Sequence, residues 1–127
     1  EGNGGVILPK LHYGRDALVG IAIFLSLAAE KKLKISELKN LYPSYYIEKD
    51  KIKLTDNELI ENKLLEIKGK FKSNQITTID GLKIDFKDSW IHLRKSNTEP
   101  ILRIYAESNS KIKSIELIDK FKNYFVN

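Results

Sequence analysis

The chain has 127 residues, enough for one ordinary domain or for one small domain with part of another. Its 42% apolar content supplies the Ile, Leu and Phe of a core, which excludes a disordered protein. The lack of cysteine excludes disulfides and thiolate metal sites and fits a cytoplasmic location, which we expect. The net charge of +5 comes mostly from lysines scattered over every segment, so we expect a solvated surface and no nucleic-acid partner.

The amino-terminal stretch "EGNGG" has neither the basic start nor the cleavage site of a signal peptide. Since the sequence contains no methionine, we interpret it as a fragment or a processed piece. Its glycines allow a ligand to approach the backbone closely, although a frayed terminus is the plainer interpretation. Residues 5–9, "GVILP", predict a short buried strand that ends at a proline.

A long apolar helix is predicted from residue 14 to residue 32, with Asp16 near its first turn. The apolar run Ala17–Ala29 is shorter than the roughly 18 residues that a membrane span needs, so no membrane partner is expected. Because the run is apolar on every side, it predicts a helix buried inside a larger protein. A short second helix follows at 36–41, capped by Ser36 and ended by Pro43.

Residues 44–54, "SYYIEKDKIKL", mix tyrosine and isoleucine with charges and predict an exposed linker that becomes an edge strand. We place the boundary between two units there. In "TDNE", Thr55 and Glu58 form a capping box, which predicts the start of a helix. The residues expected to form the apolar stripe of this helix are Leu59, Ile60, Leu64 and Ile67, and Gly69 is expected to end it.

Three to four antiparallel strands and a closing helix follow. Asp80-Gly81, between "NQITTI" and "LKIDF", predicts a tight hairpin with both central residues at positive φ. The strands "WIHLR" and "PILRIYAE" come next. The last helix, at about 110–125, is expected to bury Ile112, Ile115, Ile118, Phe121 and Phe125. This order predicts an α+β domain in which an antiparallel sheet packs against helices.

The loop "RKSNTEP" joins the last two predicted strands, and its residues suit a phosphate. The guanidinium fork of Arg94 matches two phosphate oxygens, and Ser96, Asn97 and Thr98 add short donors. Successive loop amides can form an anion-binding nest. The alternative is a plain surface turn that Ser96 and Asn97 shape. Local chemistry leaves both interpretations open.

Four stretches taken together resemble a known family: "EGNGGVI", "HYGRDALVGIAIFLSL", "DGLKIDF" and "WIHLRKSNTEPILRIYAE". In this order they are similar to the carboxyl-terminal part of the α-D-phosphohexomutases, the phosphoglucomutase/phosphomannomutase family, over essentially the whole chain. The family has four domains around a deep cleft. The resemblance implies that 1–43 is the helical end of the third, α/β domain with its sugar-binding loop. It makes 44–54 the linker or edge strand and 55–127 the fourth domain, an α+β unit related in fold to the TATA-binding protein.

Carried over by motif, the resemblance implies that one loop grips the substrate phosphate remote from the reacting end; its residues are Arg94, Ser96, Asn97 and Thr98. Glu1 and Asn3 would contact the sugar hydroxyls. Many members have Ser-Gly-His at the positions of Asn3, Gly4 and Gly5, which puts the hydroxyl contacts and the sugar preference in doubt. Three further residues, His12, Arg15 and Asp16, match the family without an assigned ligand role; a structural role is favoured for His12.

The resemblance also implies the chemistry of the parent enzyme. The family interconverts hexose 1-phosphates and 6-phosphates through a phosphoserine and a bisphosphate intermediate, with Mg²⁺ and a glucose 1,6-bisphosphate-type activator. Its phosphoserine and metal loops belong to the first two domains, and no matching run occurs in this sequence. We therefore expect no catalytic residue and no metal ligand here, and an inactive fragment. Its partners would be a hexose phosphate and the amino-terminal domains of the same chain, with the fourth domain closing over the substrate.

Three alternatives remain from the sequence. The fragment could come from a phosphoglucosamine mutase, although those enzymes more often carry Ser-Gly where this loop has Ser96-Asn97, so glucose and mannose phosphates are favoured. It could instead be a free-standing phosphate or nucleic-acid binding module, given its +5 charge. A third hypothesis is dimerisation through the exposed 17–29 helix of the third domain.

Overall fold

The computed structural model describes residues 4–53 and 57–126, without the side chains of residues 57, 58 and 126. The helices are α1 Ala17–Lys31, α2 Ile35–Lys39, α3 Asn57–Lys70 and α4 Lys111–Val126. The strands are β1 Tyr46–Lys53, β2 Gln75–Thr77, β3 Leu82–Asp85, β4 Ser89–Lys95 and β5 Ile101–Ser108. Two compact units are present, Glu1–Pro43 and Ser44–Asn127.

In the first unit, α1 begins where Asp16 caps it. The Asp16 carboxylate accepts a hydrogen bond from the Val19 amide at 3.0 Å, so the helix begins at Ala17 rather than at residue 14. At the other end, Lys32 adopts the left-handed conformation with φ 53°. The apolar composition of this helix predicted that it is buried. Within the described residues, however, α1 has no buried residue.

Two other predictions for the first unit are wrong. Residues 5–9 form no strand; their one ladder contact is the isolated bridge between Leu8 and His12, because no described strand of this unit lies alongside to complete a ladder. Ser36 lies inside α2 rather than at its cap. The helix begins at Ile35 because the Glu37 carboxylate accepts from the Lys34 amide at 2.8 Å.

The second unit is built on a five-stranded antiparallel sheet in the order β1-β5-β4-β3-β2. β1 is an edge strand, as predicted, and it pairs with β5 along its whole length from Tyr46 to Lys53. The central strands alternate between buried and half-buried residues, because one face of the sheet packs on the helices. The opposite face carries the polar members of each strand.

The core lies between the sheet and helices α3 and α4. Its fully buried members include Ile67 and Phe121 from the helices and Ile84, Ile91, Leu93, Leu102 and Ile104 from the strands. The rings of Phe121 and Phe71 stack at 5.2 Å. An α+β domain with an antiparallel sheet packed against helices is therefore confirmed.

Several helix details differ from the sequence-based expectation. Leu59 is 52% exposed, and Gly69 lies inside α3, which continues to Lys70. In α4, Ile112 and Ile115 are exposed, whereas Ser114 is fully buried. A three-residue spacing drifts by about 60° per step on a helix of 3.6 residues per turn, so Ile112 and Ile118 cannot share one face. The predicted Thr55 capping box lies outside the described residues.

The turn before β3 is longer than the predicted two-residue hairpin. Thr77 pairs with Lys83 and β3 begins at Leu82, so the loop consists of residues 78–81. Only Gly81 has positive φ, at 75°, and Asp80 does not, so a type I′ turn is wrong here. A Cβ added at Gly81 would lie 2.2 Å from the Leu93 carbonyl oxygen, so the turn packs directly against β4.

Candidate functional site

The predicted loop joins two neighbouring central strands, β4 and β5, at one end of the sheet. Its base is closed by hydrogen bonds from the Ser96 amide to the Ile101 carbonyl at 2.9 Å and from the Ile101 amide to the Glu99 carbonyl at 2.8 Å. Ser96 is half-buried, while Asn97 and Thr98 are exposed. Paired strands therefore fix both ends of the loop, and its tip remains accessible to a ligand.

Arg94 projects from the polar face of β4, next to this loop. Its Nη1 donates to the Asp80 carboxylate at 2.9 Å, so the guanidinium contacts the turn that precedes β3. From the same strand, His92 Nε2 lies 2.6 Å from the Asp80 carbonyl oxygen; since a carbonyl only accepts, this nitrogen carries a proton. The two contacts attach the Asp80-Gly81 turn to β4 and hold the Arg94 guanidinium in place.

Arg103 completes the arrangement from β5 and was missed from the sequence. It lies directly opposite Arg94 in the strand register, and its Nη2 is 3.4 Å from the Ser96 hydroxyl. That hydroxyl is in turn 3.5 Å from the hydroxyl of Thr98. The signal was present in the sequence, because the alternation in "ILRIYAE" places Arg103 between two core residues and on the polar face.

Two arginines opposite each other are unfavourable for the sheet alone, since like charges on directly paired residues repel. The Asp80 carboxylate offsets the charge of Arg94, whereas Arg103 lies against the Ser96 hydroxyl at an accessible loop. Guanidinium forks and hydroxyl donors are the groups that bind a phosphate. The described arrangement is therefore compatible with the phosphate interpretation of the loop, which stays a prediction.

The other predicted site residues are not part of this arrangement. Asn97 is exposed, and no described hydrogen bond fixes its amide. Glu1 and Asn3 lie outside the described residues. Their contacts with sugar hydroxyls stay a prediction.

The three residues without an assigned role lie at the start of α1. The His12 Nδ1 accepts from the Gly14 amide at 3.0 Å, so Nε2 carries the proton of the neutral ring and lies 3.0 Å from an Asp16 oxygen. The pKa of the Asp16 carboxyl is lowered chiefly by the hydrogen bond from the Val19 amide and then by the one from His12. His12 and Asp16 therefore organise the entry into the helix. Arg15 lines a cavity with Gly4 and Gly5.

The described residues contain neither a metal-binding cluster nor a helix that could span a membrane. Residues 4–53 and 57–126 hold no group of three or more histidine or acidic side chains placed to bind a metal ion. Within the same ranges, every helix is too short or too polar to cross a membrane.

Comparisons with known proteins agree on one family. The family described as "Phosphoglucomutase/phosphomannomutase, C-terminal domain" matches residues 48–122. A phosphoglucosamine/phosphogalactosamine mutase of Sulfurisphaera tokodaii is 38% identical over 96% of this chain, and a phosphoglucomutase/phosphomannomutase of Thermococcus kodakarensis is 40% identical over 94%. These alignments cover 27% and 26% of the two relatives, so the chain spans about a quarter of their length.

A solved structure supports the same assignment. A crystal structure of a phosphoglucomutase/phosphomannomutase family protein from Burkholderia thailandensis matches with a TM-score of 0.51 and 27% identity. The match covers 70% of this chain and 19% of that protein. Because the family match extends over more than half of the sequence, this chain belongs to the phosphoglucomutase/phosphomannomutase family and carries its C-terminal domain.

Proposed function

We propose that this chain is the substrate-binding carboxyl-terminal part of a phosphohexose mutase and that its β4–β5 loop grips the phosphate of a hexose phosphate. One observation carries the proposal: Arg94 and Arg103 are direct cross-strand partners, with the Ser96 hydroxyl 3.4 Å from the second guanidinium. Asp80 offsets the charge of Arg94, and an anionic ligand at this accessible loop would offset the charge of Arg103 as well.

In this proposal the two guanidiniums take the phosphate oxygens, and the hydroxyls of Ser96 and Thr98 donate to the remaining ones. Asp80 acts as a positioning residue, because its carboxylate holds Arg94 beside the loop before the ligand arrives. Asn97, at the exposed tip, donates its amide to the same ligand. Such a site recognises charge and oxygen geometry rather than the sugar, so it suits a phosphate at either end of the hexose.

The chemistry of phosphoryl transfer is assigned to the rest of the parent enzyme. The parent would interconvert hexose 1-phosphate and 6-phosphate through a phosphoserine and a bisphosphate, with a glucose 1,6-bisphosphate-type activator in the cytoplasm. Since the described residues offer no metal-ligating cluster, they do not fit the Mg²⁺ that the family implies. Residues 1–127 alone are therefore proposed to bind substrate without turning it over.

The sugar is proposed to be glucose or mannose, with glucosamine as the second candidate. The second candidate is supported by the names of the relatives, which include phosphoglucosamine mutases beside a phosphoglucomutase/phosphomannomutase. The loop itself, with Asn97 after Ser96, favours the neutral sugars. Glu1 and Asn3 are the residues proposed to contact the hydroxyls.

Binding is tested with the isotopically labelled chain, titrated with glucose 1-phosphate, glucose 6-phosphate and inorganic phosphate while backbone amide shifts are followed. We expect shifts at residues 94–98 and at Arg103. Arg103→Ala should weaken binding by roughly 10- to 150-fold, because a hydrogen bond to a charged group contributes about 1.5–3 kcal/mol. Arg15→Ala in the first unit is the charge-matched control and should change nothing. Equal losses in both variants would contradict the site.

Turnover and sugar preference are tested in a chimera. The corresponding residues of the Thermococcus kodakarensis relative, 40% identical over 120 residues, would be replaced by this chain. We expect mutase activity on glucose and mannose phosphates in the chimera and none in the chain alone. Arg94→Ala should then raise KM as well as lower kcat/KM. A chimera that acts only on glucosamine phosphate would favour the second candidate.

One side of α1 exposes large apolar side chains. Leu18 is 78% exposed, and Ile21 and Leu25 are each 55% exposed. We propose that the missing amino-terminal domains cover this face and that the chain alone dimerises through it. Sedimentation of the wild type beside Leu18→Glu tests this, since a monomeric wild type would contradict it.

A further inference from the structure

The edge strand β1 continues the row of cations that begins at the phosphate site. Lys51 lies directly opposite Arg103, and Arg103 lies directly opposite Arg94. Directly paired residues of antiparallel strands point to the same face with Cβ atoms about 4.5–5.5 Å apart. Three cationic side chains from three neighbouring strands therefore stand side by side on the polar face, at the end of the sheet where the β4–β5 loop lies.

Lys53 adds a fourth cation one row closer to the loop. It lies opposite Ile101, whose carbonyl accepts from the Ser96 amide and whose amide donates to Glu99. Lys53 is thus beside the backbone that closes the base of the loop. Both Lys51 and Lys53 are exposed, and their flexible four-carbon stems allow the ammonium groups to reach toward the loop.

Among the acidic groups that the structure describes nearby, none neutralises these lysines. The Asp80 carboxylate binds Arg94, and the Asp50 carboxylate binds Lys122 of α4 at 2.6 Å. Among the described residues, no carboxylate lies within ion-pair distance of Lys51, Lys53 or Arg103. This end of the sheet therefore concentrates positive charge that the described part of the fold does not use.

A plainer role exists for lysines on an edge strand, because they prevent edge-to-edge pairing with other sheets. That role predicts no difference between the three lysines of β1 that share this face. Their surroundings do differ, since the Lys49 ammonium lies 5.1 Å from the centre of the Tyr105 ring and Lys49 is one row further from the loop than Lys51.

We propose that Lys51 and Lys53 contact the phosphate beside the two arginines and make the site selective for doubly charged phosphate monoesters. The inference rests on the proposed function of the loop and extends it to the edge strand. A phosphate monoester carries about −1.5 to −2 charges at pH 7 and offers three terminal oxygens, so it can contact the ammonium groups as well as the arginines. A phosphodiester carries one charge and two terminal oxygens, so it gains less from the two lysines.

The test uses the labelled chain at low salt with three probes: inorganic phosphate, methyl phosphate and dimethyl phosphate. Lys51→Gln and Lys53→Gln are compared with Lys49→Gln, which removes the same charge from the same face and strand. We expect each of the first two to weaken methyl phosphate binding by about 3- to 10-fold, in the range of a partly exposed charged contact, and the control by less than about 2-fold. Dimethyl phosphate should bind weakly to every variant.

A second readout separates binding from folding. Lys51→Gln removes a like charge opposite Arg103, so its midpoint of unfolding should stay the same or rise while its affinity falls. The inference is overturned if methyl phosphate binds but the three glutamine variants behave alike; the proposed function then stands. It is also overturned if the wild-type chain binds dimethyl phosphate as well as methyl phosphate. If no probe shifts the loop amides at millimolar concentration, the proposed function fails together with the inference.

Discussion

Substitution of Gly81 by alanine tests how tightly the turn that carries Asp80 is packed. The alanine would have to adopt φ 75°, which costs an L-residue roughly 1–2 kcal/mol. Its Cβ would also lie 2.2 Å from the Leu93 carbonyl oxygen and 3.0 Å from the Arg94 Cα, both backbone atoms of β4. Relief of such an overlap requires the turn and the strand to separate, and overpacking of this kind costs about 1–3 kcal/mol. The expected loss of unfolding free energy is therefore about 2–5 kcal/mol.

Gly69→Ala is the matched control, because the same methyl group has the opposite effect there. Gly69 lies inside α3, and the added Cβ would meet no atom within 4 Å beyond its chain neighbours and the backbone of its own helix, so the variant should be more stable by roughly 0.5–1 kcal/mol. Both would be measured by urea unfolding, followed by the fluorescence of Trp90 in β4. A loss below about 1 kcal/mol for Gly81→Ala would refute the close packing of the turn on β4.

Two further predictions concern the second unit. Phe121→Ala should lower the free energy of unfolding in urea by about 3–5 kcal/mol, because the ring is fully buried against Phe71. Ile112→Ala, on the exposed side of the same helix, should change it by less than about 0.5 kcal/mol. Similar losses in both variants would contradict the assigned core face of α4. The Lys122 ammonium, followed by the Lys51 amide, lowers the pKa of Asp50 below 3.8. The ion pair between Asp50 and Lys122 therefore stabilises the fold at a pH above the ordinary pKa of the carboxyl, by no more than about 1 kcal/mol at this exposed site. This contribution disappears as the pH falls through the pKa of Asp50 in the folded state. The stability difference between wild type and Asp50→Asn should accordingly shrink in acid, and a constant difference would contradict the ion pair.

The sequence predicted more of the sheet than of the helices. Strand alternation located β4 and β5 correctly, since a half-buried strand imposes a period of two on its own residues. The expected face of α4 was wrong at Ile112, because several apolar residues compete for one stripe and packing selects among them. The short segment at 5–9 failed as a strand because a strand requires a partner that local sequence does not reveal.

The proposed phosphate site divides in the same way. The sequence by itself determined the loop, its hydroxyls and Arg94, because these residues are neighbours along the chain and their donor chemistry is local. Only the tertiary structure placed Asp80 against Arg94, Arg103 opposite Arg94 and Lys51 opposite Arg103. The positions of Arg103 and Lys51 depend on the register between the strands, and a shift of one residue would send each side chain to the other face of the sheet. The sequence therefore determined which groups can hold a phosphate, and the pairing of β1, β4 and β5 decided which of them stand together.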